Sequence, residues 1–299
     1  MNKEIVTQNT KLINSKYNLT ELELKFLLSI IAKIDSKKEN EFKVYTFNKK
    51  ELEEEIGFPN HKNSFYKTFA RRIMSKPFDI EIEKDHWITF NWLSKFEYNK
   101  GEIKVRIDDD LKPYLLELKE RFIKYNLRYI IPLKSAYSIR IYQLLKEYEK
   151  YGVRYFDVEE LMNILQVPKS YQRYGLFKQK VLEQAHRELT EKTDITFDFE
   201  EDKKEWKKVI RLRFRIYKNH NKKQEEKAKE DDLSQYLKKT IYYNGFDWVI
   251  IYAERLERNE IKIQIIDDEK NLKQMELHES KLQLMVESYE KSHPRLIQE

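Results

Sequence analysis

The sequence predicts an α+β chain: two tandem winged helix-turn-helix domains followed by a C-terminal extension expected to be helical. Three observations predict it. Residues 46–59 return at 155–168 with a constant offset of 109. Each copy runs helix, short strand, helix, helix, β-hairpin. The charge changes sign near residue 219. Of 58 Lys+Arg and 52 Asp+Glu, residues 219–299 hold 14 and 17, leaving 44 and 35 for residues 1–218, so a net +9 precedes a net −3.

The elements follow in order. Leu24, Phe26, Leu27, Leu28, Ile30 and Ile31 recur at helical spacing behind Thr20 and Glu23, which have capping-box spacing. Phe47, Asn48 and Glu51 open a short helix in the first copy, as Phe156, Asp157 and Glu160 do in the second, each with a carboxylate near the positive helix end. Pro59 and Pro168 stop these helices. A third helix follows in each copy, over 65–74 and 176–185. Alternating residues at 78–82, 87–92, 96–98 and 103–107 read as strand pairs, the last turned by Asn99-Lys100-Gly101, and residues 195–199 and 209–217 read as the second wing. The domains are expected at 1–110 and 111–218. Residues 219–299 make a third segment of unassigned role, beginning in an aperiodic charged stretch that reads as a solvated linker or the charged start of a helix. Its apolar run 246–253 fits a docking helix or strand, or a small packed subdomain.

Composition excludes several classes. The chain has 299 residues, 37% charged and 13% aromatic, with 5 Gly and 6 Pro, which is incompatible with collagen-like, linker-like or disordered chains. With 0 Cys there is no disulfide framework, thiolate zinc site, iron–sulfur cluster or thiol nucleophile, and a reducing, cytoplasmic setting fits. No apolar run reaches the roughly 18 residues of a membrane span, and no signal-peptide core follows Met1. The glycines form no phosphate-binding loop. The histidines at 61, 86, 186, 220, 278 and 293 never take metal-ligand spacing. Asp108-Asp109-Asp110 sits at a strand-to-helix junction and reads as a cap. No enzymatic activity, cofactor or metal is expected.

Double-stranded DNA has better material. On the first copy's third helix Lys67 and Arg71 share a face, with Arg72 beside them and Phe65, Phe69 and Ile73 on another. The second copy's third helix offers Arg173, Lys178, Gln179, Lys180, Gln184 and Arg187, around an inward ladder of Phe177, Val181, Leu182, Ala185 and Leu189. Arg and Gln suit bidentate contact with guanine and adenine, and Lys suits phosphate. In the second wing, Lys207 and Lys208 precede Arg211, Arg213 and Arg215, which alternate with Leu212, Phe214 and Ile216 and so share one sheet face. Each set also fits an ordinary solvated face, and the wing arginines an edge strand charged against aggregation.

These features resemble the Rep_3 (initiator RepB) superfamily of plasmid replication initiators. The resemblance rests on the run 133–145 (LKSAYSIRIYQLL), then Phe156-Asp157-Val158-Glu159-Glu160-Leu161, Phe177-Lys178-Gln179-Lys180-Val181-Leu182, and Thr193-Asp194-Ile195. In the first copy Leu19-Thr20-Glu21-Leu22-Glu23 and Ala70-Arg71-Arg72-Ile73 fit, and 113–119 with Phe122 and Tyr125 resembles the family's connecting helix. The match covers roughly 3–218. It implies a non-enzymatic initiator that binds repeated origin sites (iterons), helps melt an adjacent AT-rich segment and recruits the host replicative helicase and other replication proteins. It also implies a homodimer in equilibrium with monomer, with much of the dimer contact in the first domain and autorepression through an inverted repeat. Base contacts are implied for the second domain's third helix, and a phosphate contact for Arg140. A winged-helix transcriptional regulator without an origin role, a tyrosine-dependent origin nickase and an interaction protein working through 219–299 are the competing readings.

Overall fold

The computed structural model describes residues 5–36, 39–57, 63–118, 121–219, 233–256 and 260–293. It divides into two units, Met1–His220 and Asn221–Glu299. The stretch expected as a charged linker lies, from residue 220 to 232, outside the described residues, as does Pro59.

Val6 and Gln8 point inward while Ile5, Thr7 and Asn9 do not, which makes strand β1 (Ile5–Asn9); Asn9 caps the short helix α1 (Thr10–Asn14). In α2 (Glu21–Ala32) the Thr20 side chain accepts from the Glu23 amide, and the Glu23 carboxylate accepts from the Thr20 amide at 2.7 Å, completing the expected capping box. Asn48 and Glu51 do the same after strand β2 (Tyr45–Asn48), opening α3 (Lys49–Ile56). That helix ends at Gly57, whose φ of 69° is readily accessible to a residue without Cβ. Helix α4 (Asn63–Met74) leads into two hairpins, β3 (Phe78–Glu83) with β4 (His86–Phe90), and β5 (Leu93–Asn99) with β6 (Glu102–Ile107). The second hairpin joins β2 in the order β2-β6-β5 and forms the wing. Phe26, Phe47 and Phe69 are buried where α2, the sheet and α4 meet, with Phe96 packed against them. Burial of one such ring stabilises the fold by about 1.5–3 kcal/mol.

The expected connecting helix over 113–125 is not formed. Among the described residues of this stretch the chain makes α5 (Lys112–Leu115), and then strand β7 (Phe122–Asn126) pairs antiparallel with β1. The cause is period 2: Ile123 and Tyr125 are buried, Phe122 and Lys124 exposed, and Arg121 sits at φ 39° immediately before them.

The second copy repeats the order: α6 (Ala136–Lys146), β8 (Val153–Asp157), α7 (Val158–Ile164), then a helix over 174–192, and a hairpin of β9 (Ile195–Glu205) and β10 (Lys208–Lys218). Asp157 makes no side-chain cap, unlike Asn48. The 174–192 helix consists of α8 (Tyr174–Phe177), a π turn (Lys178–Leu182) and α9 (Glu183–Lys192). With five residues in that wider turn, Phe177 and Leu182 both face the core, although ideal α spacing would separate them. Strand β10 is the middle strand of β8-β10-β9 and not an edge, which removes the anti-aggregation reading of its arginines.

The two winged helices meet through polar groups. The Gln143 side chain donates to the Tyr125 hydroxyl at 2.7 Å and to Gln8 Oε1 at 3.1 Å. Arg154 reaches Asn14 Oδ1 at 2.6 Å and Glu147 Oε2 at 2.9 Å. Buried polar groups are tolerated when paired in this way.

The extension is not helical as expected. It forms a four-stranded antiparallel meander, β11 (Thr240–Tyr243), β12 (Phe246–Arg255), β13 (Glu260–Ile266) and β14 (Leu272–His278), followed by one helix, α10 (Glu279–Ser292). Ile261, Ile263 and Ile265 alternate into a core that Leu282 and Val286 of α10 help to build. Asn244 and Gly245, at φ 53° and 89°, turn the first hairpin. Both signals specify strand.

Candidate nucleic-acid interface

The fold sorts the sequence-predicted cations into three groups. The first is free. Lys67 and Arg71 stand exposed on α4, one turn apart on the face opposite buried Phe69 and Ile73. Between α4 and β5 runs a groove of about 660 Å³ with these two cations on its rim and Tyr66, Phe96 and Tyr98 in its lining. On the 174–192 helix Gln179, Lys180 and Arg187 are exposed, as are Arg173 at its N-cap and Lys207 in the wing turn. Among the described residues no ion pair or side-chain hydrogen bond holds any of these seven. Gln179 and Lys180 lie inside the π turn and are exposed side by side. Such turns recur at functional sites.

The second group is paired. Arg72 Nε is 2.6 Å from Glu23 Oε1, and Lys76 Nζ is 2.7 Å from Glu23 Oε2. Burial pushes the Glu23 carboxyl up, but hydrogen bonds from Lys76 and Thr20 outweigh it and hold it below its ordinary value. Lys208 pairs with Glu159 at 2.5 Å and Arg211 with Asp202 at 2.6 Å. Arg213 and Arg215 share Glu200, which raises the Arg213 guanidinium above its usual value. The pattern Asp198, Glu200, Asp202 on β9, facing Arg215, Arg213 and Arg211 on β10, accounts for this: Glu200 pairs in register with Arg213 and Asp198 with Arg215. Gln184 donates to Glu188 at 3.3 Å, and Glu188 is itself buried, accepting from the Lys134 amide at 2.7 Å. Lys178 is half-buried over the Phe199 ring.

The third group is Arg140 alone, and it corrects an expectation. Its side chain is 3% exposed and cannot meet a phosphate. It donates to the Ser15 carbonyl at 2.8 Å and to the Tyr17 hydroxyl, and its guanidinium lies 3.8 Å from the Tyr17 ring centre. The residue joins α6 to the segment after α1. Desolvation lowers its pKa, and the phenol oxygens around it oppose that shift.

Sequence reasoning missed two features of this surface. The counter-charges on β9 were legible as strict alternation of Asp198, Glu200 and Asp202. Trp206, fully exposed at the tip of the β9–β10 hairpin, was legible only as an aromatic between lysines. The aspartates at 108–110 are structural: Asp108 accepts from the Asp110 amide at 3.1 Å and Asp109 pairs with Arg106 at 2.9 Å.

Two family models match this arrangement in chain order: "Initiator Replication protein, WH1" over residues 5–146 and "Initiator Rep protein, WH2" over 157–216. The chain belongs to the initiator replication protein family. Among curated relatives of this chain, a "Replication initiation protein" of Escherichia coli is 27% identical over 201 residues, covering 63% of each chain. A "PI protein" of Escherichia coli is 25% identical over 157 residues, covering 47% of this chain and 50% of that one. The chain thus spans less than two thirds of the length of either relative. The two models take in most of both winged helices; residues 147–156 lie between them and residues 217–299 beyond them. Among the described residues, no helix is long and apolar enough to cross a membrane.

Proposed function

We propose that this initiator binds double-stranded origin DNA site-specifically and starts plasmid replication there, acting by binding and not by catalysis. The observation that carries the reading is the 174–192 helix. It presents Gln179, Lys180 and Arg187, with Arg173 at its N-cap, to solvent without ion-pair or side-chain hydrogen-bond partners among the described residues, next to a wing bearing Lys207. A winged helix enters the major groove with this helix while its hairpin follows the backbone. Arg187 and Lys180 are the candidates for base edges, Arg173 and Lys207 for phosphates. Lys67 and Arg71 on α4 give the first domain, residues 1–110, a second DNA contact; the second domain, residues 111–218, makes the main one.

The family relationship supports the finer reading: iterons as the binding sites, assisted opening of a neighbouring AT-rich tract, recruitment of the replicative helicase, and a homodimer that represses its own gene. Deleting the gene from its replicon tests the origin role. Loss of plasmid maintenance, restored by the gene in trans, supports it. Normal maintenance with derepressed transcription would make the protein a regulator instead.

A further inference from the structure

The charges of the second wing are largely accounted for by ion pairs, but the aromatic residue at its tip is not. Glu205 and Lys208 pair across a two-residue turn, and the first turn residue is Trp206 at φ 55°. The turns at 84–85, 100–101 and 244–245 place Asp85, Lys100, Gly101, Asn244 and Gly245 in the same left-handed region. A bulky aromatic is disfavoured there, because its Cβ and ring crowd the backbone. The ring gains nothing from the fold in return, since Trp206 is 101% exposed, whereas Trp92 is 2% and Trp248 8% exposed. Around it, Lys203, Lys204, Lys207 and Lys208 are all exposed; Lys203, Lys204 and Lys208 pair with Glu205, Glu201 and Glu159, and Lys207 has no ion-pair partner among the described residues. A register shift between Val209 and Arg211 adds a bulge just behind the tip, and bulges re-aim the strand that carries them.

An unburied, conformationally disfavoured indole next to the unpaired Lys207, with surface lysines held only in exposed ion pairs, has the chemistry of a nucleic-acid wedge. The cations draw phosphates to either side, and the ring offers a flat apolar face to a base. We propose that Trp206 inserts from the minor groove between stacked base pairs of A·T-rich duplex DNA when the second wing docks. A·T pairs are favoured because a G·C pair places the guanine amino group in the minor groove, and TA steps unstack most easily. The inference rests on the DNA-binding reading above and adds to it a residue, a groove and a base composition.

The test uses the full chain with three probes: an alternating A·T duplex carrying 2-aminopurine at one TA step, a G·C duplex of equal length, and single-stranded oligo-dT. Trp206→Gly removes the ring and suits the turn; Trp206→Phe keeps a ring. Both variants should melt at the wild-type temperature. On the A·T duplex, Trp206→Gly should bind roughly 5- to 100-fold more weakly, and Trp206→Phe within about threefold of wild type. The rise in 2-aminopurine fluorescence on binding should vanish only with Trp206→Gly. Wild-type affinity for the A·T duplex in Trp206→Gly, or an equal loss on the G·C duplex or oligo-dT, overturns the wedge while leaving DNA binding intact. Failure of the wild-type chain to bind any duplex overturns the DNA-binding reading together with the wedge.

Discussion

Arg71 and Arg72 are neighbours on α4 with different employment: Arg72 is held 2.6 Å from the buried carboxylate of Glu23, while Arg71 has no ion-pair partner among the described residues. Glu23 also completes the capping box of α2 and takes Lys76 on its second oxygen. One carboxylate therefore locks the start of the first helix to the end of the third.

Glu23→Gln should destabilise the first unit by about 2–4 kcal/mol, since it removes the buried negative charge that serves two cations and turns one of its two acceptor oxygens into a donor. The native carboxyl is held below its ordinary value, so its stabilising effect is present above that value and disappears as pH falls through the native pKa. Urea titrations from neutral pH to about pH 3 should show the wild type losing stability in acid, with a smaller loss in the variant. Parallel curves would contradict the linkage.

Arg71→Ala and Arg72→Ala should separate binding from folding. Arg71→Ala should leave the melting temperature unchanged within about 1 °C and weaken DNA binding, with the salt slope reduced by about 1. Arg72→Ala should lower stability by about 1–3 kcal/mol because Glu23 stays buried with one partner fewer.

Arg140→Ala is expected to act through the fold alone. It strands the Ser15 carbonyl and the Tyr17 hydroxyl in the core and should cost about 3 kcal/mol, with Arg140→Lys failing to rescue because an ammonium cannot span both acceptors as a planar fork does. At temperatures where the variant is folded, its salt slope on DNA should equal the wild type's. A reduced slope would restore the phosphate contact that the burial of Arg140 rules out.

Glu200→Gln should strengthen DNA binding. Arg213 and Arg215 share that carboxylate, so neutralising it frees both guanidinium groups for phosphate. Affinity for random duplex should rise and the salt slope steepen by about 1–2. Unchanged binding would place that face of the wing away from DNA.

What was legible in the sequence is what is encoded locally. Thr20 with Glu23 and Asn48 with Glu51 form the boxes their spacing promised, and Lys67 and Arg71 share the solvent face that helical periodicity assigns them. Arg140 was illegible because its burial depends on Ser15 and Tyr17, more than a hundred residues earlier in the chain. The strand at 122–126 depended likewise on a partner, β1, whose polar residues gave little sign of a strand. The meander after residue 240 is different: Asn244-Gly245 and the alternation of Ile261, Ile263 and Ile265 were there to be read as strand. Within the candidate interface, the sequence supplied the cations but not their partners. Pairing decides which charges are available, and it follows from register, as with Glu200 opposite Arg213.

Whether the 174–192 helix reads bases is decided by the Lys180→Ala/Arg187→Ala double variant. The measurement is a pair of affinities at one salt concentration, for the repeat-bearing DNA that flanks the gene and for a scrambled duplex of equal composition. A base-reading helix gives a selective loss on the cognate DNA of about 1–3 kcal/mol for each base contact removed, with a much smaller loss on the scrambled duplex. Equal losses on the two duplexes would contradict it.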